Sequence, residues 1–278
     1  MLHYNGAVVN VKGEDKRISA ELHDNTLLLG VADGHGGETC AIACRSMLPG
    51  MIEKATSNKM PIPSDVQIEA IFKELHDRCS QLGCKSGAAL TVCVVDKTNG
   101  AFKCANVGDA ACILCTPTSH MMLTTTHRLQ DSPQERRRLH HHIGFVSHGG
   151  APVGPPRLYP GGLACSRSIG DGDCPFVRCT PALCDGTIGQ HDVLVIASDG
   201  LWDVSVPREV SKVARETRCA LAILKKRRQT TYTDDTSVVV VSRQPKVQPV
   251  GLFRSSSSAS LSSDDDDLPP RTIVGVQL

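Results

Sequence analysis

The chain has 278 residues, 40% hydrophobic and 21% charged, with 30 Lys and Arg against 29 Asp and Glu for a formal net charge of +1. That length buries an ordinary globular core without disulfide staples. The near-zero net charge excludes a global field that would recruit nucleic acid or an anionic membrane, and 3% aromatics leaves few platforms for stacking bases.

The first stretch, "MLHYNGAVVNVKGEDK", has no apolar run of the kind a signal peptide carries. The expectation is an intracellular protein, cytoplasmic or nuclear. Its 13 cysteines, odd in number and irregular in spacing, then read as reduced, small, buried hydrophobes. No stretch reaches the length of a membrane span.

In chain order, the first apolar strand is "TLLLGVA", residues 26–32. Two helical patterns follow. "GETCAIACRSMLPGMIEKATS" is one. "PSDVQIEAIFKELHDRCSQLG" is the other, with Ser64 and Asp65 as cap candidates and Val66, Ile68, Ile71, Phe72, Leu75 and Leu82 recurring at helical spacing. "LTVCVVD" and the run after it are joined by Thr98-Asn99-Gly100, an Asn-Gly hairpin signal that makes part of the sheet antiparallel. "ACILC" and "MMLTTT" are further strands. The C-x-x-C pair Cys112 and Cys115 lies inside the first of these with no second pair nearby, so it reads as core rather than as a zinc or redox site. "DSPQERRRLHHHIG" predicts a helix with Pro133 in its first turn and a solvated basic face. "DVLVIAS" is a strand, "VPREVSKVARETRCALAILKKRR" a single long helix with a basic end, and "TSVVVVS" the last strand. Helices and strands come in blocks, which predicts α+β layers rather than repeated βαβ winding. From about Gln244 the chain is Pro- and Ser-rich and runs into Asp264 to Asp267, so a folded domain over 1–246 and a disordered Ser/Asp-rich tail over 247–278 are expected.

Acids gather at strand ends: Glu14 and Asp15 in "VKGEDKR", Asp33 after "LLLGVA", Asp109 in "ANVGDA", Asp171 in "SRSIGD", Asp199 and Asp203 in "IASDGLWD", and Asp234 and Asp235 in "TYTDDTSVVVV". Taken singly, each is a turn residue. Taken together, neighbouring strands could bring several carboxylates into one small volume, where they stay ionised only with cations between them. An all-oxygen set suits Mg²⁺ or Mn²⁺ rather than zinc. Glycine after the acid lets backbone approach closely. Two such ions, about 3.5–4 Å apart, form a clamp for phosphoryl chemistry.

The ordered motifs "GED", "GVADGHGG", "ANVGDA", "GGLACSRSIGD", "VLVIASDGLWD" and "DDTSVVVV" resemble the PPM family of protein phosphatase 2C-like Ser/Thr phosphatases, over roughly residues 5–242. The resemblance implies a four-layer αββα sandwich with two central antiparallel β-sheets and a centre of two Mg²⁺ or Mn²⁺ ions at one end. It implies that Asp33 bridges both ions, that Gly34 supplies a carbonyl ligand, and that Glu14 and Asp15 form the Glu-Asp pair beside them. Asp199 and Asp234 match the remaining metal acids, and Asp109 and Asp203 match residues that hold a weaker third ion in some members. A metal-bridging water would then attack phosphorus in line, and His35 would protonate the departing serine or threonine oxygen. The expected substrates are phosphorylated proteins, with no nucleic acid or membrane partner and a monomeric chain.

The family usually carries a phosphate-binding Arg four residues before the Glu, where this chain has Asn10. Lys12, Lys16 and Arg17 are the nearby substitutes, though lysine offers a point charge rather than a fork. Ala110 and Ala111 stand where many members have Ser-Arg, and "SGAAL" replaces another usual pattern. The alternative reading is a pseudophosphatase, the same fold used as a binding or scaffold module. A third is another two-metal phosphoesterase acting on small phosphoesters. Trp202 reads as core packing beside the site.

Overall fold

In the computed structural model the described residues are 1–83, 85–148, 151–226 and 233–244, with the backbone of 261–262. The expected tail, the serines before its aspartates and the basic pair 227–228 lie outside them, apart from that two-residue segment. The chain runs β1 (His3–Val9), β2 (Lys16–Leu22), β3 (Thr26–His35), α1 (Thr39–Ala55), α2 (Asp65–Ser80), β4 (Gly87–Asp96) and β5 (Ala101–Val107). Next come β6 (Ala111–Cys115), β7 (His120–Met122), α3 (Pro133–Leu139), β8 (Ile143–His148), β9 (Ala151–Leu158), β10 (Ile169–Gly170) and β11 (Ala182–Thr187). It closes with β12 (Val193–Ala197), α4 (Asp199–Trp202), α5 (Pro207–Thr217), α6 (Ala220–Lys226), β13 (Thr236–Ser242) and β14 (Leu261–Ser262).

One sheet has the order β14-β1-β13-β12-β6-β7, the other β11-β5-β4-β3-β2 with β10 also on β4, and β8-β9 form a separate hairpin. The strands of each sheet pair antiparallel. Strand parity separates three layers of core. Leu27, Leu29 and Val31 of β3 meet Leu194 and Ile196 of β12 and Val239 and Val241 of β13 between the sheets. The opposite face of the second sheet, including Leu28, Leu90, Val92 and Val94, packs under α1 and α2 around Phe72 and Leu75. Val193, Val195, Val238 and Val240, on the opposite face of the first sheet, pack under α5 and α6. Strands covered on both faces have no polar face to show, which is why they read as continuous apolar runs. Each buried Val or Leu contributes about 1.5–3 kcal/mol. The four-layer αββα sandwich is the expected fold.

Local chemistry explains the helix ends. Ser64 and Gln67 form a reciprocal capping box on α2, although Val66 and Leu82, expected in the core, are exposed. The β4–β5 hairpin turns at Asn99-Gly100, with the Gly100 N–H donating to the Asp96 carbonyl. Cys112 and Cys115 point to opposite faces of β6, one between the sheets and one toward α5, so they cannot share a ligand.

Three of the predicted elements differ from expectation. The single helix over 206–228 is broken at Arg218, which adopts φ +51°. The Asn5 side chain holds the break: its amide donates to the Arg218 carbonyl at 2.8 Å and its oxygen accepts from the Ala220 N–H at 2.8 Å. The strand read in "MMLTTT" ends at Met122, because Thr124 turns its hydroxyl to the Cys112 N–H. The solvated face predicted for "RRRLHHH" is only partly so. Arg138 folds onto the buried Glu135, and Arg136 donates to the carbonyls of Leu129 and Gln130.

Candidate active site

Asp33 shares parity with Leu27, Leu29 and Val31, so β3 carries its carboxylate into the end of the space between the sheets. There the carboxylates of Asp33, Asp109 and Asp199 lie within 4.8 Å of one another. The Asp199 N–H, at the start of α4, donates to Asp33 Oδ2 at 3.2 Å. Asp15, at the end of the β1–β2 loop, is buried beside Asp33, and its Oδ2 has no hydrogen-bond partner among the described residues.

Electrostatics follow from this crowding. Burial first, then the charges of Asp15, Asp199 and Asp109, push Asp33 well above the usual carboxylate range. Burial, with Asp109 and Asp203 adding and Arg128 offsetting, pushes Asp199 up to about 7. Burial also raises Asp15 to about 6, against the hydrogen bond from Ser198. Crowded, half-buried carboxylates beside the unmatched oxygen of the buried Asp15 are what a hard divalent cation would satisfy; the trio offers oxygen donors, and the Cys165 thiol that approaches it is spent on a hydrogen bond to Asp109. The residues present therefore fit Mg²⁺ or Mn²⁺.

The two aspartates of "TDDTS" part company. Asp235 turns inward, and its Oδ1 accepts from the N–H groups of Val11, Lys12 and Gly13 at 2.5, 2.7 and 3.1 Å. Its Oδ2 accepts from Glu14 and Asp15 at 2.5 and 3.1 Å. Successive N–H groups wrapped around one carboxylate make an anion nest. They hold Asp235 below its ordinary value despite burial. Asp234 faces outward, paired with Lys12 Nζ at 2.8 Å and adding to the field on Asp199. It lies outside the close trio. Glu14 also lies outside it, with Oε1 accepting from the Gly37 N–H at 2.6 Å. Gly34 runs against the Glu14 backbone so closely that a Cβ there would sit 2.5 Å from the Glu14 carbonyl oxygen.

His35 ends β3. Its Nε2 lies 2.9 Å from both oxygens of Asp171, which is buried and receives the Ser168 hydroxyl as well. Asp171 reaches this place because Gly87 opposite has no side chain: a Cβ there would lie 2.2 Å from Asp171 Oδ2. Burial disfavours the imidazolium, but the Asp171 hydrogen bond and charge outweigh it and raise His35 above its ordinary value. Asp171 stood among the strand-end acids of the sequence without a role; no local signal pairs it with a histidine 136 residues away.

Two further residues were not legible in the sequence. His127 is buried and accepts the Gly108 N–H at Nδ1, 3.1 Å, which fixes the turn carrying Asp109. Burial and Arg167 push it down to about 4, so it is neutral. Arg128, the next residue, donates from Nε to Asp109 at 2.8 Å, from Nη2 to Asp199 at 2.7 Å and from Nη1 to Asp203 at 2.8 Å.

Of the cations near Asn10, Lys16 is held by Glu38 and the Gly13 carbonyl, and Arg17 fills the space over Gly6. Only Lys12 enters the carboxylate set. Asn10 itself is exposed. Trp202 donates to the Ala197 carbonyl at 2.9 Å and packs on the outer core of the first sheet.

Residues 10–234 match the family model for protein phosphatase 2C. The chain is 31% identical over 266 residues to probable protein phosphatase 2C 5 of Arabidopsis thaliana, covering 87% of this chain and 62% of that one. It is 32% identical over 253 residues to probable protein phosphatase 2C 33 of Oryza sativa subsp. japonica, covering 84% and 58%. The chain thus spans about a third to three-fifths of the length of the curated relatives it matches. In fold it is similar to a sex-determining protein of C. elegans, with TM-score 0.70, 23% identity, and coverage of 88% and 65%. It is also similar to a phosphatase from a pathogenic strain of Toxoplasma gondii, with TM-score 0.68, 16% identity, and coverage of 87% and 92%. The chain belongs to the protein phosphatase 2C family.

Proposed function

We propose that this chain is a metal-dependent protein Ser/Thr phosphatase acting as a monomer on intracellular phosphoproteins, with its catalytic domain over 1–246 and no nucleic-acid or membrane partner. The observation that carries the reading is the convergence of Asp33, Asp109 and Asp199 within 4.8 Å at the mouth of the sandwich. Asp15, Asp33, Asp199 and Asp234 would hold two Mg²⁺ or Mn²⁺ ions, with Gly34 and Glu14 beside them. Bound divalent ions supply Lewis acidity, to the attacking water and to the phosphoryl oxygens.

The chain's own residues do the rest. Lys12, which pairs with Asp234 at 2.8 Å, would meet the substrate phosphate in place of the arginine absent at position 10. His35 donates its Nε2–H to Asp171, which leaves Nδ1 to hand a proton to the departing serine or threonine oxygen. Burial of Asp15 and partial burial of Asp33 lower the local dielectric and strengthen the electrostatics of the charged set.

The exposed Asn10 favours a second reading, a pseudophosphatase that binds phosphoproteins without turnover. An assay on a phosphothreonine peptide and an aryl phosphate, with Mn²⁺ and with EDTA, separates the two. Phosphate release that needs Mn²⁺ and vanishes in Asp199→Asn is the expected result. Absence of turnover in folded protein at every Mn²⁺ concentration refutes the enzyme and leaves the binding module.

A further inference from the structure

Arg128 is an unusual occupant of a site built for cations. All three guanidinium nitrogens are engaged, each with a different carboxylate: Asp109, Asp199 and Asp203 at 2.7–2.8 Å. The side chain is three-quarters buried, with 23% exposure. Its backbone is pinned by a bridge to Cys165 and by the Thr126 hydroxyl, which accepts the Arg128 N–H at 3.2 Å. The Arg128 carbonyl accepts from both Asp131 and Ser132. A guanidinium does not lose its proton in proteins, so this is a permanent positive charge fixed among acids.

Lys12 and Arg128 are the cations paired with the acids of this set. Asp203, half-exposed at the C-terminal end of α4, pairs with Arg128, and Asp109 gives Oδ2 to the same group. An ion lodged between those two acids would have to expel a charge held by three charge-assisted hydrogen bonds.

We propose that Arg128 is a built-in cation that takes the place of a third divalent ion beside Asp109 and Asp203, and so limits this chain to two. The inference rests on the binuclear reading above and adds to it a specific stoichiometry and the residue that sets it. Arg128 also stands as a positioning residue for Asp199, whose Oδ2 it holds at 2.7 Å.

Counting bound Mn²⁺ tests this without reference to turnover. The full chain, stripped with a chelator, is titrated with Mn²⁺ into the millimolar range, with free ion followed by electron paramagnetic resonance and heat by calorimetry. Wild type is expected to saturate at two equivalents and Arg128→Met at three. Three equivalents in wild type, or two in both proteins, overturns the proposal. Circular dichroism checks the fold of R128M. Should it fail to fold, Asp203→Asn decides: an unchanged two equivalents supports the proposal, and a lost equivalent overturns it, because Asp203 would then be holding an ion. Two equivalents in both wild type and R128M with Mn²⁺-dependent phosphatase turnover intact refutes only the role of Arg128. Uptake of fewer than two ions by wild type, with no turnover, refutes the binuclear reading itself.

Discussion

Asp235→Asn is the substitution whose cost follows most directly from the geometry. The wild-type carboxylate accepts five backbone N–H groups, three on Oδ1 and two on Oδ2. An amide of the same shape keeps one oxygen and turns an NH₂ toward the other donors. At least two bonds are lost and replaced by donor facing donor. Hydrogen bonds to a charged group are worth about 1.5–3 kcal/mol each, so the loss is about 3–6 kcal/mol before the loop relaxes. That is a large fraction of the ~5–15 kcal/mol stability of a typical domain. Urea unfolding followed by circular dichroism should show the midpoint falling by at least about 1 M at unchanged slope, given slopes of about 1–3 kcal/mol per M. The control is Asp234→Asn. Asp234 pairs with Lys12 at the surface, 43% exposed, and the Asp235 N–H that it accepts can remain on an asparagine oxygen. Its loss should cost under about 1 kcal/mol while phosphate release collapses. The pH dependence has a definite sign. Asp235 is held below its ordinary value in the folded state, so its stabilisation is present above about pH 4 and is lost as pH falls below that. A D235N protein within about 1 kcal/mol of wild type would refute the account of the nest.

Asp171→Asn should lower kcat far more on a phosphothreonine peptide than on an aryl phosphate, because an aryl oxygen leaves without a proton; equal losses on both substrates would show that Asp171 does not act through His35. Lys12→Ala should raise KM for the phosphopeptide roughly tenfold, about 1.4 kcal/mol, with a smaller change in kcat, and Asn10→Arg in that background should recover part of it. Glu135 is buried, yet Arg167, Arg138 and Ser166 outweigh that burial and push its carboxyl down to about 2. Its stabilisation is therefore complete above about pH 4.3 and fades between there and about 2, so Glu135→Gln should lower thermal stability at pH 7 and flatten the acid side of the profile; an unchanged profile contradicts the buried pairing.

The runs that read as strands are the ones covered on both faces, such as β3, β4, β12 and β13, because dense burial leaves an unbroken apolar signature. β1 and β2 gave no such signal, since much of each is only half-buried. Asp33 at the end of β3 and Asp199 at the start of α4 were legible for a related reason. An ionisable group closing a fully buried strand has few uses, and two such ends in one chain pointed to one site. Strand parity, a local property, then aimed Asp33 into the gap between the sheets.

What the sequence left open depended on groups far apart along the chain. Asn5 breaks the helix pair at Arg218 from 213 residues away, through two hydrogen bonds that no propensity encodes. Asp234 and Asp235 are neighbours with the same side chain, and only the β1–β2 loop, wrapped around one of them, separates scaffold from candidate ligand. Asp171 and His35 meet across β4 because Gly87 leaves room. Nothing local singles out Arg128, which the fold sets among three aspartates. Periodicity and burial are written locally, so the layers and the strand-end acids could be read from residues alone. Which carboxylate joins the close cluster, which faces backbone and which faces arginine depends on distances of a few ångströms between segments a hundred residues apart, and only the folded chain sets those.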